Sequence, residues 1–319
     1  MRHVVVVGGG VAGTAAAWFL RRAAGPDELD ITVLESSPRL GGKLRTVELA
    51  GVPVDTGAEA ILNRRPEGVD LARAVGLGDL VRYPETSSAG LWSRGALRPI
   101  PAGTVTGVPA DLGALEASGL LSGEGLASVA REPDLAGPGL DDDVAIGRYA
   151  ADRLGHELVD RLIEPLLGGV YAGHADQLSL RATVPALVPY LRDDPSLVRA
   201  ARRVKAASAA AASDVPVFAG LDGGVGGLVP AVARASGAAV RTGATVRALR
   251  RTPTGWQLVI GPTPAPEVVD VDAVVLACPA RPAGDLRPRR AGRRSTGRSR
   301  GRRRARRASP TWPRRRSRP

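Results

Sequence analysis

The amino-acid sequence predicts an α/β fold that carries an inserted, mainly helical region and ends in a disordered basic tail. Three observations support this prediction. A short apolar strand runs into closely spaced glycines at the N-terminus, a long segment with helical periodicity occupies the middle, and arginine dominates residues 281–319. The first pattern is typical of strand–turn–helix units, the second of packed helices, and the third of segments that cannot form a core.

A glycine motif follows the first predicted strand. Residues 4–7 are all valine and lead directly into Gly8, Gly10 and Gly13, which stand in the order G-x-G-x-x-G before an alanine-rich helical stretch. The first glycine permits a sharp turn, the second leaves room for a pyrophosphate, and the third allows close packing of helix on strand. Free amides and the helix dipole would then bind the phosphates. The motif therefore predicts a Rossmann-like, dinucleotide-binding βαβ unit.

An acidic residue completes this unit. Glu35 follows the predicted strand 31–34 and lies 22 residues after Gly13, close to the spacing of about 20 residues that is typical of ribose-binding acids. We expect its carboxylate to accept hydrogen bonds from the ribose hydroxyls of an adenosine. The predicted cofactor contacts of the unit are Gly8, Gly9, Gly10, Val11, Ala12, Gly13 and Glu35.

A second glycine-rich stretch begins shortly after Glu35. Residues 39–46 read RLGGKLRT and residues 54–59 read VDTGAE. A glycine pair beyond the ribose-binding acid, followed by two strands and an Asp-x-Gly turn, resembles the FAD-binding signature of flavin amine oxidases. The resemblance implies FAD as the cofactor, with cationic donors near its phosphates. The further contacts that it implies are Gly42, Lys43, Gly57, Ala58, Glu59 and Ala60.

Other segments resemble the bacterial coproporphyrinogen and protoporphyrinogen oxidases of haem biosynthesis. These segments are residues 97–103, 166–173, 178–182 and 220–228, and they occur in the same order and at similar spacing as in that family. The resemblance extends to about residue 280 and is strongest to the soluble branch from GC-rich Gram-positive bacteria. It implies oxidation of coproporphyrinogen III to coproporphyrin III with molecular oxygen as the acceptor.

The same resemblance bears on individual residues. The position that matches Val246 presents its backbone to the adenine in the family, and a core-facing strand valine is the alternative. The porphyrinogen activates its own methylene bridges, so the protein has to position the macrocycle and exclude water. We therefore nominate no catalytic residue. Arg98, Arg181 and Arg192 lie where cations could contact an acidic substrate, and a surface position is the alternative for each.

The chain divides into four predicted regions. They are residues 1–65, the first part of the FAD-binding domain, residues 66–216, the substrate domain, residues 217–280, the return of the FAD-binding domain, and residues 281–319, the Arg-rich tail. About 280 residues are enough for two domains.

Periodicity predicts the main elements of the later regions. The clearest helix of the insertion covers residues 142–167, where apolar residues recur at helical spacing. A helix at 226–235 then precedes strands at 240–246, 256–260 and 269–277.

Charge separates the tail from the rest of the chain. The net charge of +12 is typical of nucleic-acid-binding proteins. However, residues 281–319 contain 17 arginines and one acid, which leaves 27 basic and 31 acidic residues before them. We therefore expect no specific nucleic-acid partner. The tail is rich in Arg, Ala, Gly and Pro, the residues that a GC-rich gene encodes when it is read in the wrong frame. We therefore expect a frameshift or truncation after about residue 280. A genuine basic tail and an ordered module are the alternatives.

Several classes of site are not expected. Cys278 is the only cysteine, and the three histidines lack paired spacing, so the sequence predicts neither a disulfide nor a metal site. We found no apolar run typical of a signal peptide or a transmembrane segment. The lack of disulfides fits a reducing, cytoplasmic location.

Alternative functions remain open at this point. They are protoporphyrinogen IX oxidation, another flavin amine oxidase-like activity, an inactive truncated fragment, and polyanion binding through the tail. The sequence also leaves open the oligomeric state and the transfer of the product to a ferrochelatase.

Overall fold

The computed structural model describes residues 1–86, 88–209 and 216–286. They belong to two compact units: the first comprises residues 1–59 and 223–286, and the second comprises the described residues between 60 and 222. The chain therefore leaves the first unit six residues earlier, and returns six residues later, than the sequence predicted. The difference arises because residues 218–221 pair with residues 61–62 and 81–82 in a sheet of the second unit.

The elements are numbered along the chain. Residues 1–59 contain β1 (Arg2–Val7), α1 (Val11–Ala23), β2 (Leu29–Leu34), β3 (Thr46–Leu49) and β4 (Val52–Asp55). Residues 60–222 contain β5 (Ile61–Leu62), α2 (Glu67–Ala74), β6 (Val81–Arg82), β7 (Gly90–Ser93), β8 (Ala96–Pro99), β9 (Thr104–Val105), β10 (Val108–Pro109), α3 (Leu112–Ala117), α4 (Gly123–Arg131), α5 (Ile146–Leu154), α6 (His156–Leu158), α7 (Glu164–Tyr171), α8 (Leu180–Thr183), α9 (Val188–Leu191), α10 (Leu197–Ala209) and β11 (Phe218–Leu221). The remaining elements are α11 (Leu228–Ser236), β12 (Ala239–Arg241), β13 (Val246–Arg251), β14 (Trp256–Ile260), β15 (Glu267–Val271), β16 (Ala273–Leu276) and α12 (Ala280–Leu286). This mixture of elements confirms the predicted α/β fold.

The first unit is built on a parallel sheet with the strand order β12-β2-β1-β16. β1 and β2 pair in parallel from Arg2 opposite Leu29 to Val7 opposite Leu34, and α1 connects them. Because side chains alternate along a strand, Val5 and Val7 join one apolar cluster, whereas their neighbours in β1 join another. Both faces of the sheet are therefore covered, as is usual for parallel sheets.

Two strands predicted as continuous are interrupted in the first unit. The segment 240–246 separates into β12 and β13 at Gly243, which has φ +66° and donates its amide to the Ser37 carbonyl. The segment 269–277 separates at Asp272, where the chain passes from the antiparallel sheet β13-β14-β15 to the parallel sheet. Hydrophobic periodicity continues across both breaks, so the sequence pattern alone did not reveal them.

The end of the described chain continues beyond the predicted start of the tail. Residues 281–286 belong to α12, and Leu286 is buried in the cluster that contains Val5 and Val7. The rest of the predicted tail, residues 287–319, lies outside the described residues.

The second unit has its own apolar core. The buried residues come mainly from α3 to α10, with Leu120, Ile146, Leu162 and Leu197 among those that are fully buried. The predicted helix 142–167 is divided here. α5 ends before Gly155, which has φ +91°, and residues Val159–Ile163 are π-helical. Gly155 adopts a conformation that helices do not use, and Pro165 lacks the amide of a regular α-helical bond.

A buried carboxylate fixes the start of α10. Glu132 is fully buried and accepts hydrogen bonds from Ser196 Oγ at 2.7 Å and from the amides of Leu197 at 2.8 Å and Val198 at 3.2 Å. Arg153 Nε donates to the same carboxylate at 2.7 Å. The Glu132 carboxylate thus has four hydrogen-bond donors, and one of them, Arg153, also supplies the opposite charge. Without such partners the burial of this charge would be costly.

No helix among the described residues is both long and apolar enough to span a membrane.

Candidate cofactor site

The turn between β1 and α1 requires glycine at two positions. Gly8 has φ +116°, and a Cβ there would lie 2.6 Å from the carbonyl oxygen of Ala277. A Cβ on Gly13 would collide with the Gly8 carbonyl oxygen. α1 therefore packs against β1 as closely as the backbone allows, which is the role that the glycine motif predicts for its third glycine.

The N-terminus of α1 presents unpaired amides. Gly10 is the N-cap with an extended backbone, it has no side-chain cap, and the first turn contains no acidic residue. Thr14 is the first residue whose amide bonds back within the helix, to the Gly10 carbonyl at 3.0 Å. The amides of Val11, Ala12 and Gly13 therefore have no acceptor within the helix. This arrangement suits a phosphate group.

The second glycine stretch lies against the first. The Gly41 amide donates to the Gly9 carbonyl at 2.9 Å, and Gly10 and Gly41 form a parallel bridge. A Cβ on Gly42 would lie 3.3 Å from Gly10 Cα. A Cβ on Gly10 itself would have only Gly42 Cα within 4 Å, at 3.9 Å. The two segments thus form a cradle of bare backbone, and the open space beside Gly10 lets a ligand approach that backbone closely.

Glu35 lies beside this cradle. Its Oε2 accepts the Gly9 amide and its Oε1 accepts the Ser37 amide, each at 2.7 Å. Partial burial raises the pKa of Glu35, but the hydrogen bonds from Ser37 and Gly9 outweigh it and bring the pKa below its ordinary value. The carboxylate is therefore ionised at neutral pH. Oε1 also accepts the Ser36 hydroxyl at 3.3 Å, whereas Oε2 has a further lone pair for a hydroxyl donor.

The base of the β3–β4 hairpin brings another group of predicted residues together. The Ala58 amide donates to the Lys43 carbonyl at 3.1 Å, and a Cβ on Gly57 would collide with that carbonyl. The side chains of Lys43 and Glu59 are exposed. Ala60 is also exposed and is the first residue of the second unit. The structure therefore joins Lys43, Gly57 and Ala58, whereas Glu59 and Ala60 only follow along the chain.

Val246 begins β13, at a local irregularity. It pairs with Ile260, and the register shifts between Val246 and Ala248. Its side chain is half-buried and packs against the apolar cluster of the first unit. Two residues earlier, the Ala244 amide donates to the Glu35 carbonyl at 2.8 Å. Val246 thus packs as a core residue and also follows a segment bound to Glu35. Bulges of this kind redirect the backbone next to binding sites.

One element of this region was missed by sequence reasoning. Asp55 accepts hydrogen bonds from the amides of Val225 at 2.9 Å and Gly226 at 3.4 Å, and Gly226 also donates to Thr46 Oγ1 at 3.0 Å. A Cβ on Gly224 would collide with Thr46, and Gly224 has φ +95°. The segments that carry these residues were both singled out in the sequence, but nothing in their spacing indicated that they meet.

The three candidate arginines of the second unit differ in their surroundings. Arg181 and Arg192 are exposed, and Arg181 donates to the Asp141 carbonyl. Arg98 is half-buried, and its Nε is buried without a hydrogen-bond partner among the described residues. Burial therefore separates Arg98 from the surface arginines, which the sequence could not do.

The remaining candidates take ordinary positions. His174 Nδ1 lies 3.0 Å from Glu164 Oε1, and the His174 side chain is 78% exposed. Cys278 is half-buried against the core of the first unit. In the part of the chain that the structure describes, no cluster of His, Cys, Asp and Glu could hold a metal ion.

Comparisons with known proteins give a consistent result. The family model described as flavin containing amine oxidoreductase matches residues 11–301. Coproporphyrinogen III oxidase of Mycobacterium leprae (strain TN) is 38% identical over 283 residues, which cover 88% of this chain and 60% of that protein. The enzyme of the same name from Bacillus subtilis (strain 168) is 34% identical over 206 residues, or 64% of this chain and 44% of that protein. The chain thus spans about half the length of the curated relatives that it matches.

A solved structure shares the fold at appreciable sequence identity. It is the crystal structure of a protein from Exiguobacterium sp. 255-15 that is provisionally named protoporphyrinogen oxidase. The TM-score is 0.70 and the identity is 32%, over 89% of this chain and 61% of that chain.

Proposed function

Because the chain belongs to the flavin-containing amine oxidoreductases, whose cofactor is FAD, we propose that it acts in the oxidation of coproporphyrinogen III to coproporphyrin III. The observation that carries the cofactor part of this proposal is the cradle of the first unit. There the amides at the start of α1, the backbone of Gly42 and the ionised Glu35 lie beside one another. A dinucleotide needs these three features for its phosphates and its adenosine ribose.

The residues have separate roles in this proposal. The amides of Val11 and Ala12 bind the pyrophosphate, and Gly10 and Gly42 leave room for it. Glu35 accepts hydrogen bonds from the ribose, and the backbone at Val246 lies along the adenine. FAD supplies the acceptor for hydride when it is bound. The task of the protein is then to orient the substrate and to exclude water, since the porphyrinogen activates its own methylene bridges.

The substrate is proposed from the names of the relatives. Several curated relatives are named coproporphyrinogen III oxidase, and protoporphyrinogen oxidase 2 from Arabidopsis thaliana matches at 30% identity. We therefore prefer coproporphyrinogen III, with protoporphyrinogen IX as the first alternative. In this proposal, residues 60–222 contact the substrate. Three further expectations stay predictions: that oxygen is the electron acceptor, that the protein is cytoplasmic, and that the product is transferred to a ferrochelatase.

The cofactor part is tested by a variant that should fold and yet lose FAD. Gly10→Ala adds a methyl group where the protein leaves space, so its fold should be unchanged, but the methyl group would occupy the proposed phosphate position. We expect at least about a tenfold rise in the Kd for FAD, measured by titration calorimetry. Gly25→Ala is the control, because a Cβ there would meet only Glu28 at 3.8 Å.

The catalytic part is tested separately on the same preparation. After coproporphyrinogen III is added to the FAD-loaded chain, porphyrin fluorescence should rise faster than in a protein-free control. Equal FAD affinity of wild type and Gly10→Ala would refute the cofactor site. FAD binding without any increase in fluorescence would refute the oxidase activity of this chain and leave the cofactor site standing.

A further inference from the structure

The carboxylate of Asp55 joins the β3–β4 hairpin of the first unit to the turn that precedes α11. Asp55 ends β4 and pairs with Thr46 of β3. It accepts hydrogen bonds from the Thr46 hydroxyl and from the amides of Val225 at 2.9 Å and Gly226 at 3.4 Å. Two of its three donors are therefore backbone amides from a segment that lies 170 residues further along the chain.

The turn at residues 224–227 is suited to receive this carboxylate. Val225–Gly227 form a 3-10 turn that continues into α11, and the N-cap, Gly224, has no side chain that could cap it. The first amides of a helical turn have no acceptor within it. Asp55 supplies that acceptor from another segment, and a carboxylate is favoured at the positive end of a helix. A Cβ on Gly224 or Gly226 would collide with Thr46, so the turn packs directly on the hairpin.

On one side, this contact fixes the base of the hairpin. β3 and β4 form a two-stranded sheet of their own, and Leu49 and Val52 beside its tip are exposed. A two-stranded hairpin is only marginally stable by itself in water. The bonds of Asp55 and Thr46 to the 224–227 turn tie the base of this hairpin to the rest of the unit.

The hairpin base in turn holds the second glycine stretch of the cradle. Shortly after Asp55, the Ala58 amide donates to the Lys43 carbonyl at 3.1 Å. Lys43 directly follows Gly42, which lies against Gly10 in the cradle. A displacement of the hairpin base would therefore move the backbone at Lys43.

On the other side, the turn leads to the elements around Glu35. α11 packs against α1 and is followed by β12, which pairs with β2. Arg241, the last residue of β12, accepts the Glu35 amide at its carbonyl at 2.9 Å. The contact of Asp55 with the turn thus connects the hairpin to the part of the unit that carries Glu35 and the amides of α1.

The backbone of the cradle has Glu35 at one end and Ala58 at the other. Glu35 accepts the Gly9 amide, the two glycine stretches meet beside it, and the bond between Ala58 and Lys43 follows. In the proposed function the ADP half of FAD lies along the part that begins at Glu35. The ribityl chain and the isoalloxazine extend beyond the pyrophosphate, which leaves the end at Lys43 and Ala58 for them.

We propose that Asp55 is a positioning residue for the flavin half of FAD. It acts without touching the cofactor. By binding the 224–227 turn it holds the hairpin base, and with it the backbone of Lys43 and Ala58, in line with Gly42. FAD depends on this alignment, whereas ADP ends at the pyrophosphate and does not. This inference rests on the cofactor site of the proposed function.

The test compares the affinities of FAD and ADP for the full chain, by calorimetric titration. Asp55→Ala should raise the Kd for FAD about tenfold, because the hairpin base loses a hydrogen-bonded carboxylate. The Kd for ADP should stay unchanged. Asp55→Asn keeps one carbonyl acceptor, so its Kd for FAD should fall between those of wild type and Asp55→Ala. Asp27→Ala, which removes an exposed acid of the same unit, is the control and should alter neither affinity.

A spectroscopic measurement follows the flavin ring itself. At saturating FAD, Asp55→Ala should show a weaker visible circular dichroism band than wild type and Asp27→Ala, because its ring is held less firmly. A loss of stability alone would not change the band of the folded, saturated protein. Thermal unfolding of each variant without ligand establishes that it is folded at the temperature of the titrations.

Three outcomes would overturn the proposal. Equal rises in the Kd for FAD and for ADP would mean that Asp55 supports the unit as a whole. Unchanged FAD binding with an unchanged band would mean that it positions nothing. A wild-type chain that binds no FAD would overturn both this proposal and the cofactor site.

Other outcomes separate this proposal from the proposed function. If Gly10→Ala binds FAD as wild type does while Asp55→Ala does not, the proposed phosphate position fails and the role of Asp55 stands. If coproporphyrinogen III is not oxidised although FAD affinity depends on Asp55, the activity fails and the role of Asp55 again stands.

Discussion

Glu35 in the first unit and Glu132 in the second both accept hydrogen bonds from backbone amides, but they differ in what they leave free. Glu132 is fully buried and receives four donors, one of them the guanidinium of Arg153. Glu35 is half-buried and receives two amides, with the hydroxyl of Ser36 at 3.3 Å. A saturated carboxylate holds a structure together, whereas a carboxylate with spare lone pairs at the surface can also bind a ligand.

The largest expected effect comes from removing the saturated carboxylate. Glu132→Ala leaves the buried guanidinium of Arg153 without a counter-charge, although its bond to the Leu135 carbonyl stays, and it removes the acceptor for the start of α10. We expect it to lower the free energy of unfolding by about 3–5 kcal/mol, the usual cost of breaking a buried ion pair. Urea denaturation measures this.

The control for this change is Glu124→Ala, which removes an exposed glutamate from the first turn of α4. It should alter stability by no more than about 0.5 kcal/mol. If Glu132→Ala lowered the free energy of unfolding no more than Glu124→Ala does, Glu132 would not be the structural carboxylate that its comparison with Glu35 implies.

A smaller effect on stability, but a clear effect on binding, is expected at the open carboxylate. Glu35→Ala removes the proposed acceptor for the ribose hydroxyls, so the Kd for ADP should rise about tenfold. The measurement is calorimetric titration of ADP and FAD. Asp27→Ala, at an exposed acid of the same unit, should leave both affinities unchanged. If Glu35→Ala bound ADP as tightly as wild type does, Glu35 would not be the residue that binds the adenosine ribose.

The smallest effect concerns pH and a third carboxylate, Asp194, which also lies at the start of α10. The hydrogen bond from Arg199 is the main reason why the pKa of Asp194 is lowered from 3.8 to about 2, with partial burial opposing it and the Ser196 amide assisting. A lowered pKa in the folded state means that the carboxylate stabilises the fold above pH 3.8. This contribution is lost as the pH falls through about 2.

Stability measured from pH 5 to pH 2 should therefore fall less steeply in Asp194→Asn than in wild type. Asp27→Asn, which alters an exposed acid of the first unit, should follow the wild-type slope. Parallel stability curves for Asp194→Asn and wild type would show that Asp194 does not contribute to the pH dependence of stability.

The parts of the molecule that sequence could predict are local in the chain. Gly8, Gly10 and Gly13 stand within six residues, and backbone packed close to Gly8 and Gly13 leaves no room for a side chain at either. The motif alone therefore indicated the turn, the helix and the open space beside Gly10. The resemblance to porphyrinogen oxidases is likewise confirmed, because the segments that carry it are contiguous stretches. The contact of Val246 with the adenine and the functional roles of the regions remain predictions.

The parts that sequence could not predict depend on contacts between distant residues. Asp55 meets Val225 across 170 positions, and Glu132 meets Leu197 across 65. Hydrophobic spacing continues through Gly155, although its positive φ ends the helix there. Arg98 and Arg181 look alike in the sequence, and only the pairing of β7 with β8 turns one of them inward.

The strand order of the first unit has a consequence for synthesis on the ribosome. β1 and β2 emerge first, yet their outer neighbours are β16 and β12, which are translated more than 200 residues later. Until then the early βαβ unit has two open edges, which invite pairing with other chains. The second unit is translated in between and can complete its own core first. A nascent chain of this design should therefore depend on a chaperone that covers β1 and β2 during the wait, and slower translation of residues 60–222 should lengthen that dependence.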